Sequence, residues 1–244
     1  MSQSSVAETR ERWLPAIAAV FVTSLIVSNI IAVKLFSMGP LFLPAGTIVF
    51  PISYIFGDVL TEVYGYARAR QVIWIGFGCN LLAVAVILIS IHLPPASIWN
   101  SLGTPGESQR AYSAIFNFAP RILAASFVAY LAGEFLNSFV LAKMKIATRG
   151  RYLWSRTIGS TLVGQFADSI IFVSLAFGGL VPESGLVVLI ISQWLVKSGY
   201  EAIATPLTYF VVNFLKRSEN RDHFDYGTDF NPILWNPGTA DEKE

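Results

Sequence analysis

The stretch LWSRTIGSTLVGQFADSIIFVSLAF, residues 153–177, is apolar over the length of a membrane-spanning helix, yet it carries Gln165 and Asp168 near its middle. A helix of about 20 residues, at about 1.5 Å per residue, crosses a hydrocarbon core about 30 Å thick. An ionised side chain at that depth costs roughly 2.5–3.5 kcal/mol on insertion scales, so such residues face a bundle interior or a wet cavity. The stretch therefore predicts a spanning helix with one buried polar face.

The composition of the whole chain is that of an integral membrane protein. Of its 244 residues, 54% are hydrophobic and 14% are charged, whereas soluble domains carry about 25% charged residues. The net charge of +1 gives no reason to expect a nucleic-acid partner. The single Cys79 and the two distant histidines, His92 and His223, predict neither a disulfide nor a metal site. With no phosphate-binding or hydrolase motif, we expect no cofactor and no enzymatic activity.

Hydropathy and the breakers between apolar runs predict six spanning helices. Their expected bounds are Leu14–Phe36, Leu43–Val63, Gln71–Leu93, Pro120–Leu141, Leu153–Phe177 and Leu186–Leu215. The expected fold is therefore an all-α integral membrane protein. One domain is expected at residues 14–217, between cytoplasmic polar tails at residues 1–13 and 218–244.

Basic residues cluster in alternate loops between the predicted spans. The positive-inside rule places such loops in the cytoplasm, and an even number of spans puts both termini on that side. The clusters follow the second, fourth and sixth spans and comprise Arg68 and Arg70; Lys143, Lys145, Arg149 and Arg151; and Lys216, Arg217 and Arg221.

The tail from residue 218 is polar and rich in Asp, Asn and Gly, so we favour a solvated segment over a functional one. Its apolar residues leave a second interpretation open, in which the tail folds back onto the bundle. These residues are Phe230, Ile233, Leu234 and Trp235.

Polar residues recur at helical spacing on four of the predicted spans. Positions i, i+3, i+4 and i+7 share one helix face, so each set forms a stripe, and the stripes are expected to converge on one interior. They are Asp58 and Glu62 on the second span; Tyr130, Glu134, Asn137 and Ser138 on the fourth; Thr161, Gln165 and Asp168 on the fifth; and Gln193, Lys197, Tyr200, Glu201 and Thr208 on the sixth.

The charges expected at mid-membrane do not balance. Glu134, Asp168 and Glu201 are opposed by one base, Lys197. This excess of acceptors favours a ligand that is cationic or rich in hydrogen-bond donors, and an aromatic residue such as Tyr200 offers a stacking surface for a flat ring. The competing interpretation is structural, because Lys197 and Glu201 are four residues apart and are placed to pair with each other.

Asp58 and Glu62 lie nearer the cytoplasmic end of the second span. A functional interpretation makes them a gate or a proton relay. The alternative is an acidic pair at the membrane interface that contacts Arg68 or Arg70, and the sequence does not decide between the two.

Three motifs resemble those of the queuosine precursor transporters, also called the vitamin uptake transporter family. The first runs from Phe50-Pro51-Ile52-Ser53-Tyr54 into Asp58-Val59-Leu60-Thr61-Glu62-Val63-Tyr64-Gly65. The second is Gly164-Gln165-Phe166-Ala167-Asp168-Ser169-Ile170-Ile171-Phe172, and the third runs from Lys197 to Pro206. The chain departs from the family's fourth-span motif, which has Gln and Asp where this chain has Glu134 and Asn137.

The resemblance implies an inner-membrane importer of two planar heterocycles, 7-cyano-7-deazaguanine and 7-aminomethyl-7-deazaguanine. It also implies a bundle like the substrate-binding subunit of energy-coupling-factor transporters, and a bundle this small is compatible with a homodimer. The rival interpretations are a substrate-binding subunit that needs separate ATPase and coupling proteins, and a membrane enzyme or structural subunit. The substrate-binding residues expected are Glu134, Asn137, Gln165, Asp168, Tyr200, Lys197 and Glu201, with Asp58 and Glu62 as the gate or proton relay.

Overall fold

The computed structural model describes residues 11–31, 34–38, 41–99, 102–116, 120–179, 182–220 and 222–234. Within these ranges the chain forms a helical bundle with one short antiparallel hairpin near its N-terminal end. The elements are α1 Leu14–Ile31, β1 Leu35–Met38, β2 Leu41–Pro44, a 3₁₀ turn Ala45–Ile48, α2 Phe50–Val59, a π-helical segment Leu60–Tyr64, α3 Tyr66–His92, α4 Pro105–Phe116, α5 Pro120–Ala147, α6 Leu153–Phe177 and α7 Glu183–Glu219.

Among the described residues, five helices are long and apolar enough to cross a membrane. They are α1, α3, α6 and α7 over their whole lengths, and α5 from Ala124 to Ala147. The predicted multi-pass helical architecture is confirmed. The hairpin is a departure from the all-α expectation, and it occupies the chain where the first span was expected to end and the second to begin.

The second predicted span, Leu43–Val63, is not one long helix. Proline at position 51 lies in the first turn of α2, where its missing N–H costs no helical hydrogen bond. The 10 residues of α2 and the 5 of the π-helical segment extend roughly 22 Å at 1.5 Å per residue, which is less than the hydrocarbon thickness of about 30 Å. Gly65, at φ 85°, then turns the chain into α3.

Helices α5 and α6 approach each other closely at two glycines. A Cβ on Gly133 would lie 3.0 Å from the carbonyl oxygen of Gly164, and one on Gly164 would lie 2.8 Å from that of Gly133. Small residues at a crossing let two membrane helices touch through their backbones. This contact brings the face of α5 that carries Gly133 and Asn137 against the face of α6 that carries Gly164 and Asp168.

The beginning of α1 and the end of α7 lie at the same end of the bundle. The backbone N–H of Trp13 donates to Oε1 of Glu219 at 2.7 Å, and its indole Nε1 donates to Oγ of Ser218 at 3.1 Å. The beginning of α3 is also there, since Nε of Arg68 donates to Glu11 at 3.2 Å. We call this the basic end of the bundle, because the basic loops of the sequence are attached to it.

The described part of the C-terminal tail, residues 222–234, lies against the basic end. Oδ1 of Asp225 accepts the backbone N–H of Tyr66 at 3.0 Å. Arg70 donates from Nη1 to the carbonyl oxygens of Asp229 and Asn231, each at 2.8 Å. The expectation of a solvated tail is therefore wrong for this segment, because backbone carbonyls of the tail satisfy a buried arginine.

Phe230 is the apolar residue that anchors the tail. Its ring lies 5.0 Å from that of Tyr66 and 5.2 Å from that of Phe139, with Nζ of Lys143 3.8 Å above it. The fold-back interpretation is confirmed for this residue. Ile233 and Leu234 remain exposed, and Trp235 lies outside the described residues.

Candidate functional site

Four buried carboxylates meet between α2, α5, α6 and α7. They are Asp58, Glu134, Asp168 and Glu201, each no more than 3% exposed. Glu134 lies within electrostatic range of Asp168 and Glu201, and Asp58 within range of Glu134 and Glu201. We call these four residues the acidic cluster. One carboxylate from each of the four predicted stripes thus lies in the same interior.

Glu134 lies at the centre of the acidic cluster. Its side chain is fully buried, and among the described residues neither carboxylate oxygen has a hydrogen-bond partner. The carboxylate sits directly against Gly57 of α2, where an added Cβ would overlap Oε1. Burying a polar group without a partner is costly, so the described residues alone leave this carboxylate uncompensated.

Asn137 links α5 to α2, three residues further along the same face. Its Nδ2 donates to Oδ1 of Asp58 at 2.7 Å. Within the described ranges, Oδ2 of Asp58 and Oδ1 of Asn137 accept no hydrogen bond. This pair therefore presents further unused acceptors to the interior.

Lys197 of α7 forms its ion pair with Asp168 of α6. The side chains are 13% and 4% exposed, so water screens the pair weakly. The sequence suggested Glu201 as the partner of Lys197 because of their spacing along one helix. In the structure the lysine instead joins two helices, and Oε1 of Glu201 lacks a hydrogen-bond partner among the described residues.

A small cavity borders the acidic cluster. Gln165, Lys197, Tyr200 and Glu201 contribute to its lining, and its volume is about 30 Å³. A single water needs about 10–15 Å³, whereas small-molecule sites measure roughly 300–1,000 Å³. The site is therefore closed to a bicyclic ligand in this conformation. Tyr200, which is 48% exposed, lies at the outer edge of the cavity rather than inside the cluster.

Gln165 adds an amide to this lining. It is buried, and within the described ranges its Oε1 has no hydrogen-bond partner. It lies three residues before Asp168, on the same face of α6. A carboxylate and an amide oxygen side by side suit a ligand edge that carries more than one N–H donor.

Glu62 belongs to a separate group of charges at the basic end. Its Oε1 accepts from Nη2 of Arg156 at 2.5 Å and from Nζ of Lys216 at 2.6 Å, and its Oε2 accepts from Nε of Arg156 at 2.7 Å. Nζ of Lys145 lies 3.6 Å from Oε1. We call these four residues the Glu62 network. Lys145, Arg156 and Lys216 come from α5, α6 and α7. Glu62 therefore pairs with bases at this end, whereas Asp58, four residues earlier, belongs to the acidic cluster.

The C-terminal tail completes the Glu62 network. Asp222 accepts from Lys145 at 2.7 Å and from Lys216 at 2.9 Å. Lys145 also donates to the carbonyl oxygens of Glu62 at 2.6 Å and His223 at 2.5 Å. Burial raises the pKa of Asp222, but the hydrogen bonds from the two lysines outweigh it and hold that pKa below the usual range of an aspartate.

The sequence does not distinguish the bases of the Glu62 network from ordinary basic residues at helix ends. Lys145 and Lys216 were assigned to cytoplasmic loops, and a basic residue near a helix end has the same sequence signature whether it reaches outward or inward. Arg156 lies in the first turn of α6 and is subject to the same ambiguity. The role of Asp222 could not be predicted from the sequence, because its partners include Lys145, which is distant in sequence.

Residues 44–211 match a family described as "Putative vitamin uptake transporter". The chain is 31% identical over 193 residues to the "Probable queuosine precursor transporter" of Bacillus subtilis (strain 168), covering 79% of this chain and 81% of that protein. It is 27% identical over 133 residues to the "Queuosine precursor transporter" of Escherichia coli (strain K12), covering 54% of each chain. No solved structure matches.

Proposed function

Because the chain belongs to the vitamin uptake transporter family, we propose that it imports queuosine precursors across a bacterial inner membrane, namely 7-cyano-7-deazaguanine, 7-aminomethyl-7-deazaguanine or both. The single observation that carries this proposal is the acidic cluster. Buried carboxylates with unused oxygens, at the depth where helices cross a bilayer, are expensive and mark a substrate or ion path. The matched relatives, named as queuosine precursor transporters, agree with this function.

The chemistry of the cluster fits a guanine-like edge. Such an edge presents an amino group and a ring N–H side by side, and a carboxylate accepts two parallel N–H bonds well. We assign recognition of this edge to Glu134, Asn137, Gln165 and Asp168. Tyr200, at the outer edge of the cavity, offers an aromatic face to the ring before it enters.

Two groups of charges are proposed as gates. Lys197 must leave Asp168 before that carboxylate can accept ligand donors, so ligand binding opens this pair. On the other side, the Glu62 network closes the basic end. Asp58 lies between the two, one helical turn from Glu62, and is placed to pass ligand or protons from one to the other.

We also propose six crossings with both termini in the cytoplasm. Helices α1 and α3 begin at the same end of the bundle, so residues 35–64 must return across it, although they form no single long helix. The basic end holds the loops with the excess of lysine and arginine, which assigns it to the cytoplasm. The similarity of the bundle to energy-coupling-factor subunits and a homodimeric state remain part of this proposal.

The proposal is tested in a bacterium that can neither make nor import these precursors and therefore lacks queuosine in its tRNA. Expression of the chain is expected to restore the modification when precursor is supplied. Asp168→Asn should reduce precursor affinity about tenfold or more, because a hydrogen bond to a charged group contributes about 1.5–3 kcal/mol. The matched control is Glu183→Gln, which removes an exposed carboxylate at the start of α7.

Restoration by the parent and by Glu183→Gln, with a clear deficit for Asp168→Asn at limiting precursor, supports both function and site. Equal restoration by all three chains would show that the site assignment is wrong. No restoration by a parent chain that reaches the membrane would contradict the function itself.

A further inference from the structure

The acidic cluster contains more carboxyl groups than there are bases to pair with them. Among the described residues it contains four buried carboxylates, and the base paired within it is Lys197, on Asp168. The next bases toward the basic end are already engaged, because Lys145, Arg156 and Lys216 all bind Glu62. The empty site would therefore carry several uncompensated charges if all its carboxyl groups were ionised.

Such an arrangement is not stable in a buried site. Moving one ion out of water costs several kcal/mol even after relaxation, and carboxylates that share a site do not all ionise. The usual outcome is that one or more of the carboxyl groups holds a proton. The contacts around each of the four carboxyl groups indicate which one holds the proton.

The contacts distinguish Glu134 from Asp168 and Asp58, and its complete burial distinguishes it from Glu201, which is 3% exposed and lines the cavity. Asp168 is paired with Lys197, and Asp58 accepts a hydrogen bond from Asn137. Glu134 has no hydrogen-bond partner on either oxygen within the described ranges. The titratable groups facing it are Tyr54 and Asp58 from α2, Tyr130 from its own helix, Asp168 from α6 and Glu201 from α7, and the nearby base Lys197 of α7 is paired with Asp168.

We propose that Glu134 is the proton-binding site of this transporter. In the empty site its carboxyl group is neutral. A neutral carboxyl offers one acceptor oxygen and one O–H donor, whereas a ligand edge with two N–H donors requires two acceptors. Ligand binding therefore breaks the O–H bond, the electron pair stays on the carboxylate, the proton passes to water, and both oxygens then accept from the ligand.

This inference rests on the proposed function and adds that substrate binding is coupled to proton release. Substrate and proton compete for one carboxylate, so the carrier exchanges one for the other. Precursor affinity should then rise with increasing pH, because fewer protons compete for the site. An ammonium group on the ligand would strengthen the exchange, since it replaces the positive charge that leaves.

Calorimetric titration of the purified full-length chain with a precursor tests the coupling. The titration is repeated at one pH in two buffers whose heats of ionisation differ. The parent and Glu183→Gln are expected to release about one proton per bound ligand, and Glu134→Gln to release close to none. Equal heats in both buffers for the parent would overturn the inference while leaving the proposed function intact. If the folded parent binds no precursor, the proposed function itself is contradicted.

A second measurement does not depend on binding by the variant. The infrared spectrum of the ligand-free parent should contain a carboxylic-acid C=O band that is missing in Glu134→Gln and shifted in Glu134→Asp, which keeps the acid. That band should disappear from the parent when ligand binds. If the spectrum of Glu134→Gln contains the same carboxylic-acid band as the parent, the proton is not on Glu134.

Discussion

Gly57 and Glu134 illustrate how single residues set the site. The missing side chain at position 57 makes the space that the Glu134 carboxylate occupies, since an added Cβ would overlap Oε1. The sequence analysis identified Glu134 from its place in a helical stripe. It gave no role to Gly57, because an isolated glycine in an apolar run looks the same whether it faces lipid or a carboxylate.

Gly57→Ala tests this contact. The methyl group must displace either α2 or the Glu134 side chain, and overpacking of this kind costs about 1–3 kcal/mol. We expect a lower melting temperature in detergent and weaker precursor binding. Gly78→Ala is the matched control, because a Cβ there meets nothing within 4 Å, and alanine in place of helical glycine stabilises by about 0.5–1 kcal/mol. Equal behaviour of the two variants would contradict the close approach of α2 to Glu134.

At the level of elements, the long helices were predictable and the second span was not. Long apolar runs such as Gln71–Leu93 are decided by hydropathy alone, and α3 covers Tyr66–His92. The run Leu43–Val63 is also apolar and long enough to be predicted as a span, but it includes Pro51 and follows Gly39 and Pro40. These residues favour turns and helix starts, and a window average does not register them.

The π-helical segment places Glu62 where three bases from other helices reach it. Glu62→Gln leaves Lys145, Arg156 and Lys216 around a neutral amide, and breaking a buried pair from one side costs about 3–5 kcal/mol. We expect a large drop in melting temperature or loss of folded protein on size exclusion.

Glu11→Gln serves as the control for Glu62→Gln. It removes the partner of Arg68 in a partly exposed pair, for which the cost is about 0–1 kcal/mol. If both substitutions lowered the melting temperature equally, the Glu62 network would not be the buried structure described.

For the molecule as a whole, the sequence predicted which polar residues lie in the membrane. It did not predict how the C-terminal tail packs against the basic end of the bundle. Asp58, Glu134, Asp168 and Glu201 were identifiable because each interrupts an apolar helix. The docking of the tail was not identifiable. It depends on backbone carbonyls of residues 229 and 231 that accept from Arg70, and backbone acceptors leave no mark in a sequence.

The site and the tail together describe a closed transporter. The cavity beside the acidic cluster has a volume of about 30 Å³, and the Glu62 network with Asp222 covers the basic end. Under the proposed function, import requires α7, which carries both Lys197 and Lys216, to move relative to α6 and the tail. Movement of α7 would separate Lys197 from Asp168 and withdraw Lys216 from Glu62, while Arg156 of α6 and Lys145 of α5 stay beside Glu62.

Uptake of labelled 7-aminomethyl-7-deazaguanine by liposomes that contain only the purified chain tests the central claim most directly. The predicted result is saturable accumulation above empty liposomes, without ATP and without any other protein. This accumulation should be retained by Glu183→Gln and strongly reduced in Asp168→Asn at limiting precursor. Ligand binding without uptake, with transport appearing only when an ATPase partner is added, would contradict the account and identify the chain as a substrate-binding subunit.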